Sequence, residues 1–271
     1  MSAAVFPSAW RGGPLLLPAI LVLLLALGGC AGVSGQPAWG EDARLLPGWS
    51  AVGRAARRAA TDPLTWAPIL TAGVLTIGDL DEDLSDWAAD NTPLFGGNAA
   101  DISDGLKDAS TVVYAVTALI APSGEHWVVN KLRGLAVGIA AIGATRLLTD
   151  AVKSASSRER PNGDDDRSFP SGHASSAAVN TTLAIENLDY VAMPAWARRG
   201  SSITLHLLAG ATGWARVEGR RHYFSDVLVG FALGHFIGRF MHEAFLESGA
   251  LVEVGAQPLP GGAVLSFGLS F

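Results

Sequence analysis

The chain of 271 residues has one cysteine, Cys30, so no disulfide can form within it. Charged residues are scarce, at 16%, and 25 acidic residues outnumber 19 basic ones to give a net charge of −6. No block of Lys and Arg interleaved with aromatic residues occurs, so we expect no nucleic acid partner. Gly and charged residues interrupt most apolar runs before they reach the roughly 20 residues that cross a bilayer. The hydrophobic content of 49% predicts an ordered core and leaves membrane insertion open.

The first 29 residues form an apolar N-terminal segment. Arg11 precedes the apolar stretch "PLLLPAILVLLLALGG", whose small final residues stand directly before Cys30, and this arrangement resembles a bacterial lipoprotein signal peptide. We therefore expect Cys30 to be the lipidated first residue of the mature chain, and the alternative is a buried, small hydrophobic residue. Because Ala31 rather than Asp follows the cysteine, we expect a lipid anchor on the periplasmic side of the cell envelope, in the outer rather than the inner membrane.

Composition divides the mature chain into three parts. Residues 30–62 are rich in Gly, Pro and Arg, which predicts a lipidated tether with a short helix near "WSAVGRAARRAA". Residues 63–248 contain long apolar segments at helical spacing, which predict an all-α helical bundle. In residues 249–271, "LVEVGA" and "AVLSFGLSF" flank the turn-forming "QPLPGG", and this alternation predicts a β-hairpin.

Two polar groups within the helical part resemble metal sites only superficially. Asp79, Asp81 and Asp83 have the spacing of a calcium loop, but Leu84 stands where that loop needs Gly, so we expect a solvated acidic loop. In the last predicted helix, three polar residues fall at helical spacing, but no carboxylate ligand pattern joins them, so a polar helix face is favoured over a metal site. That face consists of His235, Arg239 and His242.

The stretch "RSFPSGHASS" joins an irregular Pro-Ser-Gly step to a helix-compatible run. Backbone N–H groups of Ser171, Gly172 and His173 should therefore crowd the N-terminus of a helix, which is a place that binds anions. The alternative is a tight turn and a capped helix without a ligand.

Two further segments supply charges that suit an anion. "KSASSRERP" carries Lys153 and Arg160 at the end of a predicted helix, and "ARVEGRRHYFSD" carries Arg216, His222 and Asp226. Asp226 follows His222 by four residues, so a shared helix face would let the carboxylate hold an imidazole N–H. Each residue alone is consistent with a solvated surface charge. Together they match the requirements of in-line phosphoryl transfer without a metal.

These three segments, in this order, resemble the signature motifs of the type 2 phosphatidic acid phosphatase and vanadium haloperoxidase superfamily. The resemblance covers residues 153–226, with Ala215 where many members have Ser, and excludes residues 1–62 and the predicted hairpin. It implies an all-α bundle of the vanadium haloperoxidase or acid phosphatase type.

The resemblance also implies a role for each motif residue. His222 would attack phosphorus and form a phosphohistidine, with Asp226 orienting it, and His173 would act as general acid and then as general base. No metal is required. The residues that would bind the phosphoryl oxygens are Lys153, Arg160, Ser171, Gly172 and Arg216.

The implied activity is hydrolysis of a phosphate or diphosphate monoester, with a phosphorylated lipid or a small organic phosphate as substrate. One alternative is a vanadate-dependent haloperoxidase, in which the same cations would hold vanadate and His222 would be its ligand. Another is a catalytically silent lipoprotein of the envelope. The sequence leaves the choice of phosphate ester and the oligomeric state open.

Overall fold

The computed structural model describes residues 38–44, 46–246, 252–259 and 262–269. The predicted all-α architecture is confirmed, since eight α-helices and a short 3₁₀ turn (Gly96–Asn98) make up most of the described chain. The helices are α1 (Trp49–Thr61), α2 (Pro63–Leu75), α3 (Leu80–Asn91), α4 (Ala99–Ile120), α5 (Trp127–Ser156), α6 (Gly172–Asp189), α7 (Ala195–Glu218) and α8 (Phe224–Phe245).

In the C-terminal segment the backbone forms two strands, β1 (Val252–Leu259) and β2 (Gly262–Leu269). They are antiparallel, and the register runs from Val252 opposite Leu269 to Leu259 opposite Gly262. The structure does not describe the side chains of this segment. Packing of the hairpin against other parts of the protein therefore stays a prediction.

Helix starts follow from local chemistry. At α2, the Asp62 carboxylate accepts a hydrogen bond from the Leu64 amide at 2.9 Å, and Pro63 occupies the first turn, where no amide hydrogen is needed. The acidic stretch that we expected to be a loop is the first turn of α3, so that expectation is wrong. Acidic side chains there are favoured by the partial positive charge of a helix N-terminus. Asp81 is moreover only 4% exposed.

Helix α6 lies at the centre of the bundle. It packs against α4, α5, α7 and α8, and 13 of its 18 residues are buried. Many of these residues are Ala, Ser or Thr, and such small side chains let neighbouring helices approach closely. The segment after His173 therefore forms a helix with little solvent-exposed face.

Glycines on α8 bring that helix against the backbone of α6. A Cβ atom on Gly230 would lie 2.5 Å from the Ser171 carbonyl oxygen, and one on Gly234 would lie 2.2 Å from the Ser175 carbonyl oxygen. Real Cβ atoms are not found at such distances from backbone oxygen. The position of α8 relative to the start of α6 thus depends on the absence of side chains at these residues.

The chain direction brings several helix ends together. Helices α4, α6 and α8 begin at one end of the bundle, where α5 and α7 terminate, as shown by contacts of Ser103 with Arg216 and of Ser171 with Asp226. The helix ends and loops at this end therefore carry all three motifs.

Residues 38–44 and 46–61 belong to the helical body, which corrects the predicted extent of the tether. Trp39 is 1% exposed, donates its backbone N–H to the Pro122 carbonyl at 2.7 Å, and packs in the main core. Helix α1 packs against α8. Burial of this large aromatic ring favours the docked segment over a free linker. The predicted signal peptide and Cys30 lie outside the described residues.

Large apolar side chains cover parts of the outer surface. Among the described residues, Trp127–Ser156 and Phe224–Phe245 are long and apolar enough to cross a membrane by length and composition, and the apolar window of the first is only 28% buried. Further large apolar side chains are exposed on α2 and α7. Examples on the three helices are Trp66, Leu70, Leu132, Ile139, Leu147, Ile203 and Leu207.

The polar face predicted on the last helix contacts carboxylates inside the bundle. Arg239 lies 3.1 Å from Glu186, 3.0 Å from Glu243 and 3.5 Å from Asp62. His235 accepts or donates a hydrogen bond at 2.9 Å with the Thr182 hydroxyl. These contacts join the start of α2 to α6 and α8.

We expect Gly234→Ala to lower the free energy of unfolding by about 1–3 kcal/mol, because the new methyl group would press on the Ser175 carbonyl and the Ala178 side chain. The matched control is Gly210→Ala on α7, where a Cβ meets nothing within 4 Å. That change should be neutral or raise stability by about 0.5–1 kcal/mol. Unfolding by denaturant in detergent measures both, and equal effects would contradict the close-packing account.

Candidate active site

His222 and Asp226 meet at the start of α8. His222 lies in the turn before the helix and is 2% exposed, while Asp226 lies in the first turn and is fully buried. Nδ1 of the imidazole is 3.7 Å from Oδ2 of the carboxylate, an ion-pair distance longer than a hydrogen bond. The expected juxtaposition is present, although only Asp226 is within the helix.

Three donors fix the Asp226 carboxylate. Arg158 donates from Nη1 to Oδ1 at 2.7 Å, and the Ser168 hydroxyl donates to Oδ2 at 2.5 Å. The Tyr223 backbone N–H also donates to Oδ2, at 2.9 Å. A carboxylate held by so many donors is kept ionised and in one orientation.

Sequence reasoning missed Arg158. Its second nitrogen, Nη2, donates to Asp81 at 2.9 Å, and its guanidinium lies 4.0 Å from the centre of the Tyr223 ring. Asp81 in turn accepts the Ser225 backbone N–H at 2.8 Å. Arg158 stands inside "KSASSRERP" but at no position of the family pattern. Nothing in the sequence signalled Arg158, because the need for a cation besides the histidine follows from the burial of Asp226, which only the fold reveals.

Lys153 lies at the end of α5, beside the start of α6. Its Nζ donates to the Arg167 carbonyl at 2.6 Å, and the residue is 8% exposed. A Cβ on Gly172 would sit 3.8 Å from Lys153 Cε, so the ammonium stem lies against the first turn of α6. The structure therefore brings this cation to the predicted anion-binding helix end.

Arg160 is held at the mouth of this region by the acidic loop. It donates from Nε to Asp165 at 2.5 Å and from Nη1 to the Arg221 carbonyl at 3.2 Å. Arg221 itself pairs with Asp164 at 2.7 Å. The "GDDDR" loop thus neutralises part of the positive charge around the site.

Arg216 projects from the last turn of α7. Nη1 donates to the Ser103 hydroxyl at 3.1 Å, the residue is 8% exposed, and Nε has no hydrogen-bond partner among the described residues. A buried guanidinium with an unused donor suits a phosphate or vanadate oxygen.

The start of α6 departs from one expectation. The Ser171 backbone N–H donates to the Asp226 carbonyl at 2.9 Å, so its predicted place in the anion site is wrong for the amide. Ser171 instead caps α6, and its Oγ accepts from the Ala174 amide at 3.4 Å. The amides of Gly172 and His173 remain in the first turn, where helix geometry supplies no acceptor.

His173 contacts a residue that the sequence did not indicate. Its Nε2 lies 2.5 Å from Oδ1 of Asp104, on the second turn of α4. Burial and then Arg216 lower the pKa of His173, whereas Asp104 raises it. The two side chains are 69 residues apart in sequence, outside any local pattern.

Burial also determines the charge of His222. It lowers the pKa of that imidazole to about 4; Asp226 opposes this shift, and Lys153 and Arg216 add to it. His222 is therefore neutral at pH 7, with a lone pair available on one nitrogen. The same cations that would bind a phosphoryl group lie close enough to act on this ring.

Residues 148–249 match the sequence profile of the PAP2 superfamily, and this range contains the three motifs together with the residues that surround His222. This segment belongs to the PAP2 superfamily. The expected resemblance is confirmed, and it extends through α8.

Two phosphatases are similar to parts of the chain. The lipid A 1-phosphatase of Porphyromonas gingivalis is 35% identical over 103 residues, which are 38% of this chain and 21% of that protein's length. The chain therefore matches about a fifth of this curated relative. The crystal structure of a transmembrane PAP2-type phosphatidylglycerolphosphate phosphatase from Bacillus subtilis aligns with a TM-score of 0.50 and 21% identity. It covers 66% of this chain and 92% of that one, which supports the shared helical fold.

We expect Arg158→Met to lower the free energy of unfolding by about 3 kcal/mol, because it leaves Asp81 and Asp226 buried without their cation. Arg167→Met is the control in the same loop, since it removes one exposed ion pair, with Asp150. The control should cost less than about 1 kcal/mol. Denaturant unfolding of both variants checks the difference, and a loss no greater in Arg158→Met would argue against a buried ion network.

Proposed function

We propose that the protein is a phosphatase that hydrolyses the phosphate monoester of a lipid, through a phosphohistidine and without a metal ion. The observation that carries the proposal is a buried, neutral His222 beside a fixed carboxylate, within electrostatic reach of Lys153 and Arg216. A neutral imidazole is nucleophilic, and the surrounding cations favour the negative charge of a phosphoryl group.

In the first step, Nε2 of His222 attacks phosphorus, since Nδ1 faces Asp226. The P–N bond forms as the bond from phosphorus to the ester oxygen breaks. His173 gives its Nδ1 proton to that oxygen, which leaves as an alcohol. The nonbridging oxygens would be bound by Lys153, Arg160, Arg216, the Ser171 hydroxyl and the first-turn amides of α6.

In the second step, water attacks phosphorus from the side that the alcohol vacated. His173 now accepts a proton from the water on Nδ1, the P–N bond breaks, and His222 becomes neutral again with release of inorganic phosphate. Asp226 is close to the ring of His222 throughout and stabilises the positive charge that the ring carries while it is phosphorylated.

A lipid substrate is supported by the outer surface of the bundle. Exposed Leu132, Ile139 and Leu147 on α5 present an apolar face that acyl chains can contact, while the polar site is confined to one end of the helices. Both phosphatases similar to this chain are named for phosphorylated lipids, lipid A and phosphatidylglycerol phosphate. We propose the same class of substrate here.

Location in the bacterial envelope, through a lipid on Cys30, stays part of the proposal. The docked position of Trp39 limits any linker from Cys30 to seven residues, 31–37. Membrane contact through the apolar helices would act together with such an anchor, and the periplasmic side of the outer membrane remains the prediction from the signal sequence.

We expect purified protein in detergent to release inorganic phosphate from lipid A 1-phosphate, phosphatidylglycerol phosphate or phosphatidate. His222→Ala should abolish turnover because the covalent route is lost, and Asp226→Asn should slow it by about 10²–10⁴-fold. Acid-labile, alkali-stable radiolabel on the wild-type protein after rapid quenching would report the phosphohistidine.

His126→Ala, at an exposed histidine before α5, is the control and should keep the wild-type rate. Exhaustive chelation should also leave turnover unchanged. Hydrolysis by His222→Ala near the wild-type rate, or a rate that one divalent ion must restore, would reject this mechanism. Halide oxidation by vanadate-loaded protein, without phosphatase activity, would favour the haloperoxidase alternative.

We expect Cys30→Ser protein, exported with a cleavable signal that carries no lipidation site, to stay in the membrane fraction after carbonate washing. The reason is that the apolar faces of α2, α5 and α7 would still contact acyl chains. Fractionation followed by immunoblotting measures this. Release of the variant into the soluble fraction would mean that the lipid alone holds the protein to the membrane.

A further inference from the structure

We propose that Asp104 is a positioning residue for the general acid: it holds the proton on Nε2 of His173 and so directs all proton transfer through Nδ1. The inference rests on the proposed phosphatase function and adds a residue from α4, outside the three motifs. Asp104 does not touch the reacting atoms in this scheme.

The geometry comes from two neighbouring residues on α4. Ser103 accepts a hydrogen bond from Arg216, and Asp104 lies 2.5 Å from Nε2 of His173. One turn of α4 thus contacts both a phosphate-binding cation and the general acid. Because α4 and α6 pack along their length, this contact is set by the bundle rather than by a mobile loop.

The position of Asp104 fits both proton transfers. When His173 is protonated, the carboxylate accepts Nε2–H and leaves Nδ1–H to protonate the ester oxygen. When His173 has lost that proton, Nε2 keeps its hydrogen, and the Nδ1 lone pair is available to accept a proton from water. Without Asp104 the neutral ring could carry its hydrogen on either nitrogen, and only one tautomer is productive.

The charges around His173 define a pH test. Burial is the largest influence on the pKa of His173 and lowers it. Arg216 on α7 and, to a smaller extent, Lys107 on α4 also lower this pKa, while Asp104 raises it. The other charged or titratable groups of the site are Lys153 on α5, Arg158 and Arg160 in the loop after it, and the His222 and Asp226 pair before and within α8. Asp104 is the carboxylate that keeps the acid form of His173 populated, so its removal should lower that pKa further.

The test compares Asp104→Asn with Asp108→Asn in the full-length protein. Asp108 lies one helical turn further along α4, is exposed, and pairs with Lys107 at 3.3 Å, so the control removes a similar charge without touching His173. For an alkyl phosphate, kcat/KM of Asp104→Asn should fall by about tenfold or more near neutral pH, and the basic limb of its pH profile should move to lower pH. Asp108→Asn should reproduce the wild-type profile.

Leaving-group dependence separates acid positioning from a merely structural role. The phenolate of dinitrophenyl phosphate departs without a proton, so kcat/KM for that substrate should be nearly the same in wild type and Asp104→Asn. Asp104→Glu, which keeps a carboxylate, should retain the wild-type basic limb. A titration of the His173 ring by NMR should give a lower pKa in Asp104→Asn than in wild type.

The role of Asp104 would be overturned if Asp104→Asn lost kcat/KM equally on the alkyl and the dinitrophenyl ester while the basic limb of its pH profile stayed at the wild-type position. A basic limb in Asp104→Glu that lies at clearly lower pH than the wild-type limb would also overturn it, and this comparison with wild type holds even where Asp104→Asn fails to fold. Failure of the proposed function is a separate result, namely wild-type protein that hydrolyses neither ester.

Discussion

The burial of the Asp226 charge is the constraint on which the rest of the site depends. A carboxylate with no solvent exposure is costly unless cations and hydrogen-bond donors surround it. Here the donors come from the loop after α5, from the segment before α6 and from the turn before α8. Satisfying one charge therefore holds together the three chain segments that carry the motifs.

The same residue links the charge network to the anion-binding helix end. The backbone carbonyl of Asp226 accepts the Ser171 amide, while the side chain faces His222. Close approach of α8 to α6 at Gly230 makes this backbone contact feasible, because a side chain there would overlap the Ser171 carbonyl. Helix packing and site geometry are thus parts of one arrangement rather than independent features.

Polarity is distributed unusually across the bundle. Arg239 pairs with Glu186 across α8 and α6 and with Glu243 within α8, whereas Ile139 and Leu147 are more than half exposed on the outside. Ionisable groups that face the interior of a bundle with an apolar exterior are a common feature of proteins in contact with lipid. This distribution agrees with the lipid substrate and membrane contact proposed above.

The sequence by itself determined the helical class, the three motifs and the charged or titratable motif side chains that the structure gathers at one end, because periodicity, turn residues and charge spacing are local properties. It did not predict the docking of Trp39, the helix that begins at Leu80, or the hydrogen bond of the Ser171 amide to the Asp226 carbonyl. It also missed Arg158 and Asp104. Contacts of Arg158 with Asp81 and of His173 with Asp104 join residues 77 and 69 positions apart. Only the tertiary structure could decide them, because such pairs depend on which helix faces meet when the bundle closes and on which buried charges must then be compensated.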